Sequence, residues 1–325
     1  MNVDHILEAF PRHSALVVGD ICLDRWCTYD PAISEPSRET GIPRLGVVAT
    51  EVTPGAGGTV ANNLAALGIG RVATIGVIGD DGFGYELKRA LKQRGISADL
   101  LITAPNLPTF TYTKLLNAQS SEEDQPRVDF IYTQPLPGAI ENEMLERIRA
   151  SAPAFDVILV SDQAETNQGG VITARVRDLL SELACTHPEK VVWVDSRVRS
   201  HLFRNVILKP NEQEAAAACT AVLGRTDYGA LRRHVRARLM FITQGSHGVM
   251  VIDDSGEQLV PTRATEKPVD ICGAGDSFSA GASVALAVTG SAIEAARFGN
   301  LVASITIMKT GTGTASPAEI REAIR

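Results

Sequence analysis

Apolar and polar positions along most of the chain form blocks that predict strands and helices in alternation. Short apolar runs end in polar side chains, and amphipathic or alanine-rich stretches follow them. The predicted strands are 15–18, 72–78, 157–160, 191–194, 206–208, 239–243 and 249–252, and the predicted helices are 59–67, 84–94, 141–150, 171–183, 278–288, 291–309 and two that begin near 212 and 316. Strands that are apolar throughout are buried on both faces, which is typical of a parallel sheet between helices.

Two regions depart from this alternation, about 25–53 and 107–136. The first contains Pro31, Pro36 and Pro43, and the second alternates aromatic and threonine residues before an acidic stretch. We predict irregular strands in both regions. They could pair as a lid over the site, or they could be two unrelated hairpins at the sheet edge. No repeat or linker marks a boundary, so we predict one α/β domain over 1–325 with a discontinuous lid.

Composition and charge exclude several classes of protein. The formal net charge of −7 argues against nucleic acid as a partner, and the arginine-rich segment 225–238 is best explained as a solvated helix face. No apolar run approaches the roughly 18 residues of a membrane span, and residues 1–14 do not resemble a secretory leader. The five scattered cysteines predict neither disulfides nor a zinc site, and we expect them to be small buried hydrophobes. A cytoplasmic protein with no membrane partner is predicted.

The stretch 270–281 carries the strongest chemical signal. Gly273, Ala274 and Gly275 precede Asp276 and an apolar run that predicts a helix. Backbone N–H groups of small residues at a helix start can bind an anion, and a carboxylate beside a phosphate is suited to act as a base. Taken alone, the stretch could equally be a glycine-rich turn capped by an aspartate.

Other polar residues follow predicted strands, at the edge where open α/β sheets bind ligands. They are Asp20, Asp24, Asp162, Asp195, Arg197, Asn211 and Glu214. A glycine loop, 54–58, opens the first long helix, and glycine there permits close approach to a ligand. Turn chemistry is the alternative for the aspartates, and one of the pair Asp20 and Asp24 could be structural.

These motifs together resemble the ribokinase-like (PfkB) family of ATP-dependent sugar kinases over nearly the whole chain. The resemblance rests on Gly-Asp-x-x-x-Asp from Gly19, the glycine loop, Asn-x-x-Glu from Asn211, Thr-x-Gly-x-x-Gly from Thr243, and Gly-Ala-Gly-Asp from Gly273. Within the family, segments 19–26, 127–130, 161–162 and 311–319 most resemble the heptose-phosphate kinase domain of lipopolysaccharide-core synthesis. The resemblance implies a three-layer α/β/α sandwich with a mostly parallel central sheet and a small β-lid.

The resemblance also implies roles for single residues. Asp276 would be the general base, and Gly273, Ala274, Gly275 and Asp276 would offer N–H groups to the transferring phosphoryl. Nucleotide contacts would come from Thr243, Gly245, Gly248 and Asn300, and Mg²⁺ would be organised through water by Asn211 and Glu214. Sugar hydroxyls would be held by Asp24, Asp20, Gly57 and Gly58. Asp270 is the candidate contact for a monovalent cation such as K⁺, and a homodimer through the lid is implied.

Three departures from the family pattern bear on the substrate. Ile271 replaces a usual threonine beside the cation site, and Thr59 stands where a sugar-binding asparagine is common, with Asn62 or Asn63 as substitutes. Glu165 replaces a lysine of the heptose kinases and would repel a substrate phosphate. Such a phosphate would then depend on Arg197, Lys209 or a lid residue such as Arg38 or Lys114.

We therefore predict a kinase that transfers the γ-phosphoryl group of ATP to a hydroxyl of a sugar or sugar phosphate. Two alternatives remain open on the sequence alone. A nucleoside kinase would need a more apolar, aromatic-lined acceptor pocket. A non-catalytic sugar or nucleotide sensor is favoured only if the three departures have abolished transfer.

Overall fold

A computed structural model describes residues 1–263 and 267–325 of the chain. Its strands are β1 (Ser14–Gly19), β2 (Ile21–Pro36), β3 (Pro43–Ala56), β4 (Arg71–Ile75), β5 (Val77–Gly79), β6 (Ile102–Ala104), β7 (Thr111–Asn117), β8 (Val128–Phe130), β9 (Val157–Asp162), β10 (Val191–Ser196), β11 (Ile207–Leu208), β12 (Met240–Thr243), β13 (Val249–Asp253) and β14 (Gly256–Val260). Its helices are α1 (Val3–Ala9), α2 (Gly57–Ala66), α3 (Gly82–Gln93), α4 (Gly138–Ser151), α5 (Ala174–Thr186), α6 (Glu212–Leu223), α7 (Tyr228–Val235), α8 (Ala274–Thr289), α9 (Ala292–Thr306) and α10 (Pro317–Ala323).

Within these residues, the central sheet has eight strands in the order β14-β13-β12-β11-β10-β9-β1-β4. Neighbours from β12 to β4 pair in parallel, and β13 and β14 are antiparallel additions at one edge. The predicted mostly parallel sheet is therefore confirmed. The sequence did not predict β14 because its residues are largely exposed and polar, without an apolar run.

Helices cover both faces of this sheet, as the apolar strands require. Along β1, Ala15 and Val17 pack into one core with α2, α8 and α9, whereas Leu16 and Val18 pack into the other with α4 to α7. Successive side chains of a strand point to opposite faces, so a strand that is apolar throughout needs two cores. The three-layer arrangement follows directly from that pattern.

Close packing of α8 against α9 fixes the helix that carries the Gly-Ala-Gly-Asp motif. A Cβ atom at Gly281 would lie 2.8 Å from Cγ2 of Val302, and one at Gly299 would lie 2.7 Å from the ring of Phe278. These contacts leave no room for a side chain at either glycine, so the helices approach each other closely. At the start of α8, Gly273 has φ of +75°, a conformation that glycine adopts without strain.

A second sheet of four strands, β3-β2-β7-β8, combines the two regions that interrupt the alternation. The strands of the first region are irregular, as predicted, since two register shifts interrupt their pairing. They form one long antiparallel hairpin of β2 and β3 that already begins at Ile21. Pro31 lies where the pairing register shifts between Asp30 and Glu35, so its missing N–H group costs no ladder hydrogen bond. Large apolar side chains on the hairpin are exposed: Ile33, Ile42, Val47 and Val48.

Two smaller predictions also differ from the structure. The predicted strand 72–78 is divided between β4 in the central sheet and β5, which pairs with β6. All five cysteines are free, but Cys185 and Cys272 are exposed, so the expectation of buried hydrophobes was wrong for these two. No helix in the described ranges combines the length and apolarity that a membrane crossing requires.

Candidate active site

The candidate site lies at the carboxyl ends of the parallel strands, where the first turn of α8 lines two cavities. We call them the acceptor cavity, of about 190 Å³, and the nucleotide cavity, of about 490 Å³. Gly273 and Asp276 line the acceptor cavity, whereas Ala274 and Gly275 line the nucleotide cavity. The Gly-Ala-Gly-Asp motif therefore stands between two potential ligands.

Backbone N–H groups at the start of α8 are available to an anion. The N–H group of Ala274, one of those predicted to bind the phosphoryl group, donates instead to the carbonyl of Ile271 at 3.2 Å. Those of Gly275 and Asp276 have no acceptor among the described residues. The unpaired N–H groups of a first helical turn favour negative charge.

A buried ammonium group reinforces this positive site. A Cβ atom at Gly275 would lie 3.1 Å from Nζ of Lys209, which itself lies 2.7 Å from Oδ2 of Asp195. Burial opposes the charged form of Lys209, but Asp195 outweighs it and raises the lysine pKa. Lys209 lines the nucleotide cavity, whereas the sequence considered it for a phosphate on the acceptor.

The partly buried residue Asp276 lies at the border of the acceptor cavity. Burial, reinforced by Asp195 and Asp24, raises its pKa to about 8, and Lys209 opposes the shift. A carboxylate with such a raised pKa holds a proton more tightly than an exposed aspartate does. The geometry therefore suits a group that takes a proton from a hydroxyl in the acceptor cavity.

Asn211 and Glu214 form a capping box at the start of α6. The side chain of Asn211 accepts from the N–H group of Glu214 at 2.9 Å, and Glu214 Oε2 accepts from that of Asn211 at 2.7 Å. The spacing alone could have revealed this structural role. Glu214 Oε1 makes no hydrogen bond among the described residues, and burial followed by Asp195 raises its pKa.

Asn211 lines the nucleotide cavity and Glu214 does not, so this donor set could hold Mg²⁺ there only through water. One free carboxylate oxygen suffices because magnesium keeps several waters and otherwise binds phosphates. The described residues contain no cluster of three or more acidic, histidine or cysteine side chains that could enclose a metal.

The four predicted nucleotide residues lie together. Thr243, Gly245, Gly248 and Asn300 all line the nucleotide cavity. Asn300 is fixed by donating Nδ2 to the carbonyl of Val260 at 3.2 Å. The sequence assigned no role to several other lining residues, of which only Phe278 lies within a motif: Thr262, Phe278, Ala303 and Ser304.

Among the predicted sugar contacts, Asp24 and Arg197 line the acceptor cavity. Burial raises the pKa of Asp24 to about 6, although Lys114 and Arg127 lower it. Thr59, where an asparagine was expected, also lines this cavity. Residues that the sequence did not assign to the substrate complete it: Trp26, Ala56, Tyr112, Gln163, Cys272 and Thr312.

Cationic side chains distinguish this cavity. Arg25, Lys114, Arg127 and Arg197 all line it, and Arg38 does not. Each of the four has a carboxylate partner: Arg25–Glu86 at 3.5 Å, Lys114–Glu123 at 3.5 Å, Arg127–Asp129 at 2.6 Å and Arg197–Glu165 at 3.3 Å. Glu165 therefore faces Arg197 and does not itself line the cavity.

Four predicted sugar contacts do not line the acceptor cavity: Asp20, Gly57, Gly58 and Asn62. The oxygens of Asp20 accept from the N–H groups of Gln163 and Val171. Both glycines are needed for packing, since a Cβ atom at Gly57 would lie 2.7 Å from Cδ1 of Ile21 and one at Gly58 would lie 2.6 Å from Cβ of Pro54. Asn63, the other substitute for Thr59, is buried and bonds the carbonyl of Thr59.

Asp270 has a structural task that competes with a cation. Its carboxylate oxygens accept from the N–H groups of Cys272 at 2.8 Å and Gly311 at 3.1 Å. Ile271 is exposed and offers no side-chain oxygen. These residues fit a monovalent cation poorly, so Asp270 as its ligand stays a prediction.

Comparison with known proteins identifies the family. The pfkB family carbohydrate kinase model matches residues 13–319. The bifunctional protein HldE of Nitrobacter hamburgensis is 31% identical over 334 residues, and that of Pelobacter propionicus is 31% identical over 332. These alignments cover 99% of this chain but 66% and 65% of the relatives, so the chain spans about two thirds of their length.

Solved structures share the fold. A ligand-free nucleoside kinase from Burkholderia thailandensis has a TM-score of 0.71 at 18% identity, covering 96% of this chain and 100% of that one. Phosphofructokinase-2 from Escherichia coli has 0.71 at 19%, covering 96% and 98%, and Thermotoga maritima ribokinase has 0.69 at 19%, covering 96% and 99%. The predicted ribokinase-like architecture is confirmed. With the match over 13–319, the chain belongs to the pfkB family of carbohydrate kinases, phosphotransferases that act on an alcohol group.

Proposed function

We propose that the chain transfers the γ-phosphoryl group of ATP to a hydroxyl of a sugar that already carries a phosphate, with Asp276 as general base. The observation that carries the proposal is the lining of the acceptor cavity, where Arg25, Lys114, Arg127 and Arg197 converge near Asp276. Four cations around one cavity favour an anionic acceptor over a neutral sugar or nucleoside. A heptose phosphate is the specific candidate, because of the resemblance to heptose-phosphate kinases.

The roles of the residues follow from their positions. Asp276 takes the proton from the attacking hydroxyl, while the N–H groups of Gly275 and Asp276 stabilise charge on the transferring phosphoryl. Lys209 adds a positive charge beside the same helix start. Asn211 and Glu214 would hold Mg²⁺ through water, and the ion would supply positive charge against the phosphates.

Paired cations can still bind a substrate phosphate. The partners of Arg25, Lys114, Arg127 and Arg197 are partly exposed carboxylates, and such pairs contribute only about 0–1 kcal/mol. A phosphate forms stronger, bidentate contacts with arginine, so exchange of partners on binding is favourable. Glu165 then draws Arg197 away from the phosphate in the free protein rather than repelling the substrate itself.

The test is ATP consumption with aldoses, ketoses, heptoses, their phosphates and nucleosides. Phosphorylated sugars are expected to show the highest kcat/KM, by at least about tenfold over their unphosphorylated counterparts, since one charge-assisted hydrogen bond contributes about 1.5–3 kcal/mol. A preference for nucleosides would instead support the nucleoside kinase. Binding of sugar or nucleotide without turnover across the panel would support the sensor.

Replacing one cation tests the phosphate contact directly. Lys114→Gln is expected to raise the KM for the phosphorylated acceptor about tenfold and to leave the KM for ATP unchanged, because the lysine lines only the acceptor cavity. Lys88→Gln is the matched control, since Lys88 is exposed on α3 and bonds Thr103. Equal acceptor KM values in both variants would count against an anionic acceptor.

The raised pKa of Asp276 predicts the pH dependence of turnover. Only the ionised carboxylate can accept the hydroxyl proton, so kcat/KM is expected to rise with pH and to level off above about 8. Initial rates from pH 5.5 to 9.5 at fixed ionic strength measure the profile. A profile already flat above pH 5 would contradict a general base with a raised pKa at this position.

The phosphoryl donor, the ion requirements, the oligomeric state and the location are proposed together with this function. ATP is the phosphoryl donor, Mg²⁺ is required, and any effect of K⁺ is measured by exchanging the monovalent salt. A homodimer through the second sheet is proposed because Ile33, Ile42, Val47 and Val48 leave apolar surface on its hairpin. A cytoplasmic location is proposed because ATP and phosphorylated sugars are the substrates.

A further inference from the structure

Residues 163–171, which we call the acceptor loop, connect the end of β9 to the turn before α5. Gln163 lines the acceptor cavity, and Glu165 pairs with Arg197, which lines it too. The conformation of this loop therefore affects the positions of two side chains that line the acceptor cavity, those of Gln163 and Arg197. Neither group belongs to the Gly-Ala-Gly-Asp motif or to the nucleotide cavity.

Asp20 holds both ends of the acceptor loop. Its Oδ2 accepts from the N–H group of Gln163 at 2.8 Å, and its Oδ1 accepts from that of Val171 at 2.9 Å. The residue is 2% exposed, so the carboxylate has exchanged water for these two backbone donors. Burial is also the main reason that its pKa is raised to about 7.

Arg199 holds the loop at a third point, near its C-terminal end. Its Nη1 donates to the carbonyl of Gly169 at 3.1 Å, and its Nε and Nη2 donate to the carboxylate of Asp162. The Oγ of Ser196 donates to the same carboxylate at 2.7 Å, and the carbonyl of Asp162 accepts from the N–H group of Arg197 at 3.0 Å. The buried ion pair between Arg199 and Asp162 is therefore hydrogen-bonded to the backbone of both Gly169 and Arg197.

The acceptor loop is shaped to receive these side chains. Gly170 has φ of +76°, and a Cβ atom there would lie 3.2 Å from Oδ2 of Asp20 and 2.7 Å from Cβ of Ala164. On its outer side, Thr166 donates to the carbonyl of Thr133, which follows β8 of the second sheet. The loop thus lies between a buried polar cluster and the segment that leaves the lid region.

We propose that Asp20 and Arg199 are positioning residues that hold the acceptor loop, and with it Gln163 and the Glu165–Arg197 pair, in place at the acceptor cavity. This inference rests on the proposed function, since the cavity is assigned to the sugar there. Buried ionic groups are a poor means of adding stability, because apolar side chains of similar volume often stabilise as well or better. Here they instead form hydrogen bonds with three backbone groups of one loop, those of Gln163, Gly169 and Val171.

Two measurements test the inference. Asp20→Asn replaces one acceptor oxygen by an N–H₂ group that faces a backbone donor. Acceptor KM is expected to rise about tenfold or more while kcat and the KM for ATP change little, because lost positioning weakens acceptor binding. Amide hydrogen exchange in the ligand-free protein is expected to accelerate about tenfold to a hundredfold at residues 163–171.

Asp156→Asn is the matched control. Asp156 precedes the same strand, β9, at its opposite end, where its carboxylate accepts from the N–H group of Ser14 at 2.8 Å and from Ser14 Oγ. This variant is expected to leave acceptor KM and exchange at 163–171 unchanged. An equal response of both variants, or a fall in kcat without a change in acceptor KM, would overturn the inference.

Arg199→Lys tests the same positioning of the acceptor loop if Asp20→Asn does not fold. Lysine keeps the charge beside Asp162 but cannot reach both its oxygens and the carbonyl of Gly169 at once. The same rise in acceptor KM and in exchange is expected, and wild-type values would contradict the proposal. If the wild-type protein turns over no sugar or sugar phosphate, the proposed function fails, whereas hydrogen exchange still tests the anchoring of the loop.

Discussion

Asp276→Asn is expected to lower kcat by about 10²–10⁴-fold, the range that general base catalysis contributes. Affinity for ATP is expected to stay close to the wild-type value, because Asp276 faces the acceptor cavity and its N–H group remains in the variant. Steady-state kinetics with the preferred acceptor and calorimetric titration with a non-hydrolysable ATP analogue measure the two quantities.

The same substitution is expected to stabilise the fold at alkaline pH. The folded pKa of Asp276, about 8, lies above the ordinary aspartate value of 3.8, so between these values the folded state binds more protons than the unfolded state. The stability contribution of this carboxyl is therefore complete at low pH and is lost as pH rises towards 8. Asparagine cannot ionise, so the Tm of the variant is expected to exceed that of the wild type at pH 9 but not at pH 4.

Asp227→Asn is the matched control for this pair of measurements. Asp227 caps the start of α7 by accepting from the N–H group of Ala230 at 2.8 Å, and asparagine caps helices equally well. Turnover and the pH dependence of Tm are expected to remain as in the wild type. Near-normal kcat in Asp276→Asn would remove this residue from the mechanism. If the Tm of the variant differed from that of the wild type by the same amount at pH 4 and at pH 9, the pKa of Asp276 would not be raised.

Lys209→Met is expected to reduce the free energy of unfolding by about 3–5 kcal/mol, because it leaves Asp195 as an unpaired buried charge. The two side chains are 5% and 11% exposed, so water cannot replace the lost partner. ATP affinity is also expected to fall, since Lys209 lines the nucleotide cavity beside the start of α8. Urea unfolding and ATP titration measure the two effects.

A double variant distinguishes loss of the pair from loss of packing. Lys209→Met combined with Asp195→Asn is expected to recover most of the lost stability, because neither residue is then charged. ATP affinity is not expected to recover, since the ammonium is still missing. Arg44→Met is the exposed control, because its pair with Glu35 contributes at most about 1 kcal/mol. A single variant as stable as this control would show that Asp195 is not held by Lys209.

The structure confirms the predicted fold because the pattern that predicts it is local. Each apolar strand, such as 157–160 or 191–194, needs two covering layers, and the sequence supplies a helix on either side of each strand. The hairpin β2–β3 is longer than the sequence predicts. Its prolines argue against a helix, but only the paired register shows that Pro31 lies at a shift that tolerates it.

The sequence could identify the candidate site where a motif is contiguous. Gly273 to Asp276 and Thr243 to Gly248 each form one turn next to a strand or helix end, so their short spacing already brings their groups together. The acceptor cavity could not be identified in this way. Trp26, Tyr112, Gln163 and Thr312 come from four separate segments, and no spacing along the chain predicts that they meet.

Asp20 and Asp24 belong to one motif, but only the structure shows that their roles differ. The sequence places both after the first strand and suggested that one could be structural, but it could not tell which. The structure turns Asp20 toward the backbone of a loop more than a hundred residues away, whereas Asp24 lines the acceptor cavity. The choice depends on which strands are neighbours in the sheet, because β9 lies beside β1 and delivers the acceptor loop to Asp20.

The sequence by itself determined the alternation of strands and helices, the family, and the Gly-Ala-Gly-Asp motif at the start of α8, since all three depend on short-range patterns. Only the tertiary structure decided what surrounds that motif. The pairing of Lys209 with Asp195, the raised pKa of Asp276 and the four cations of the acceptor cavity all depend on burial and on contacts between distant segments. Charges interact through space, so their energies become defined only when the chain is folded.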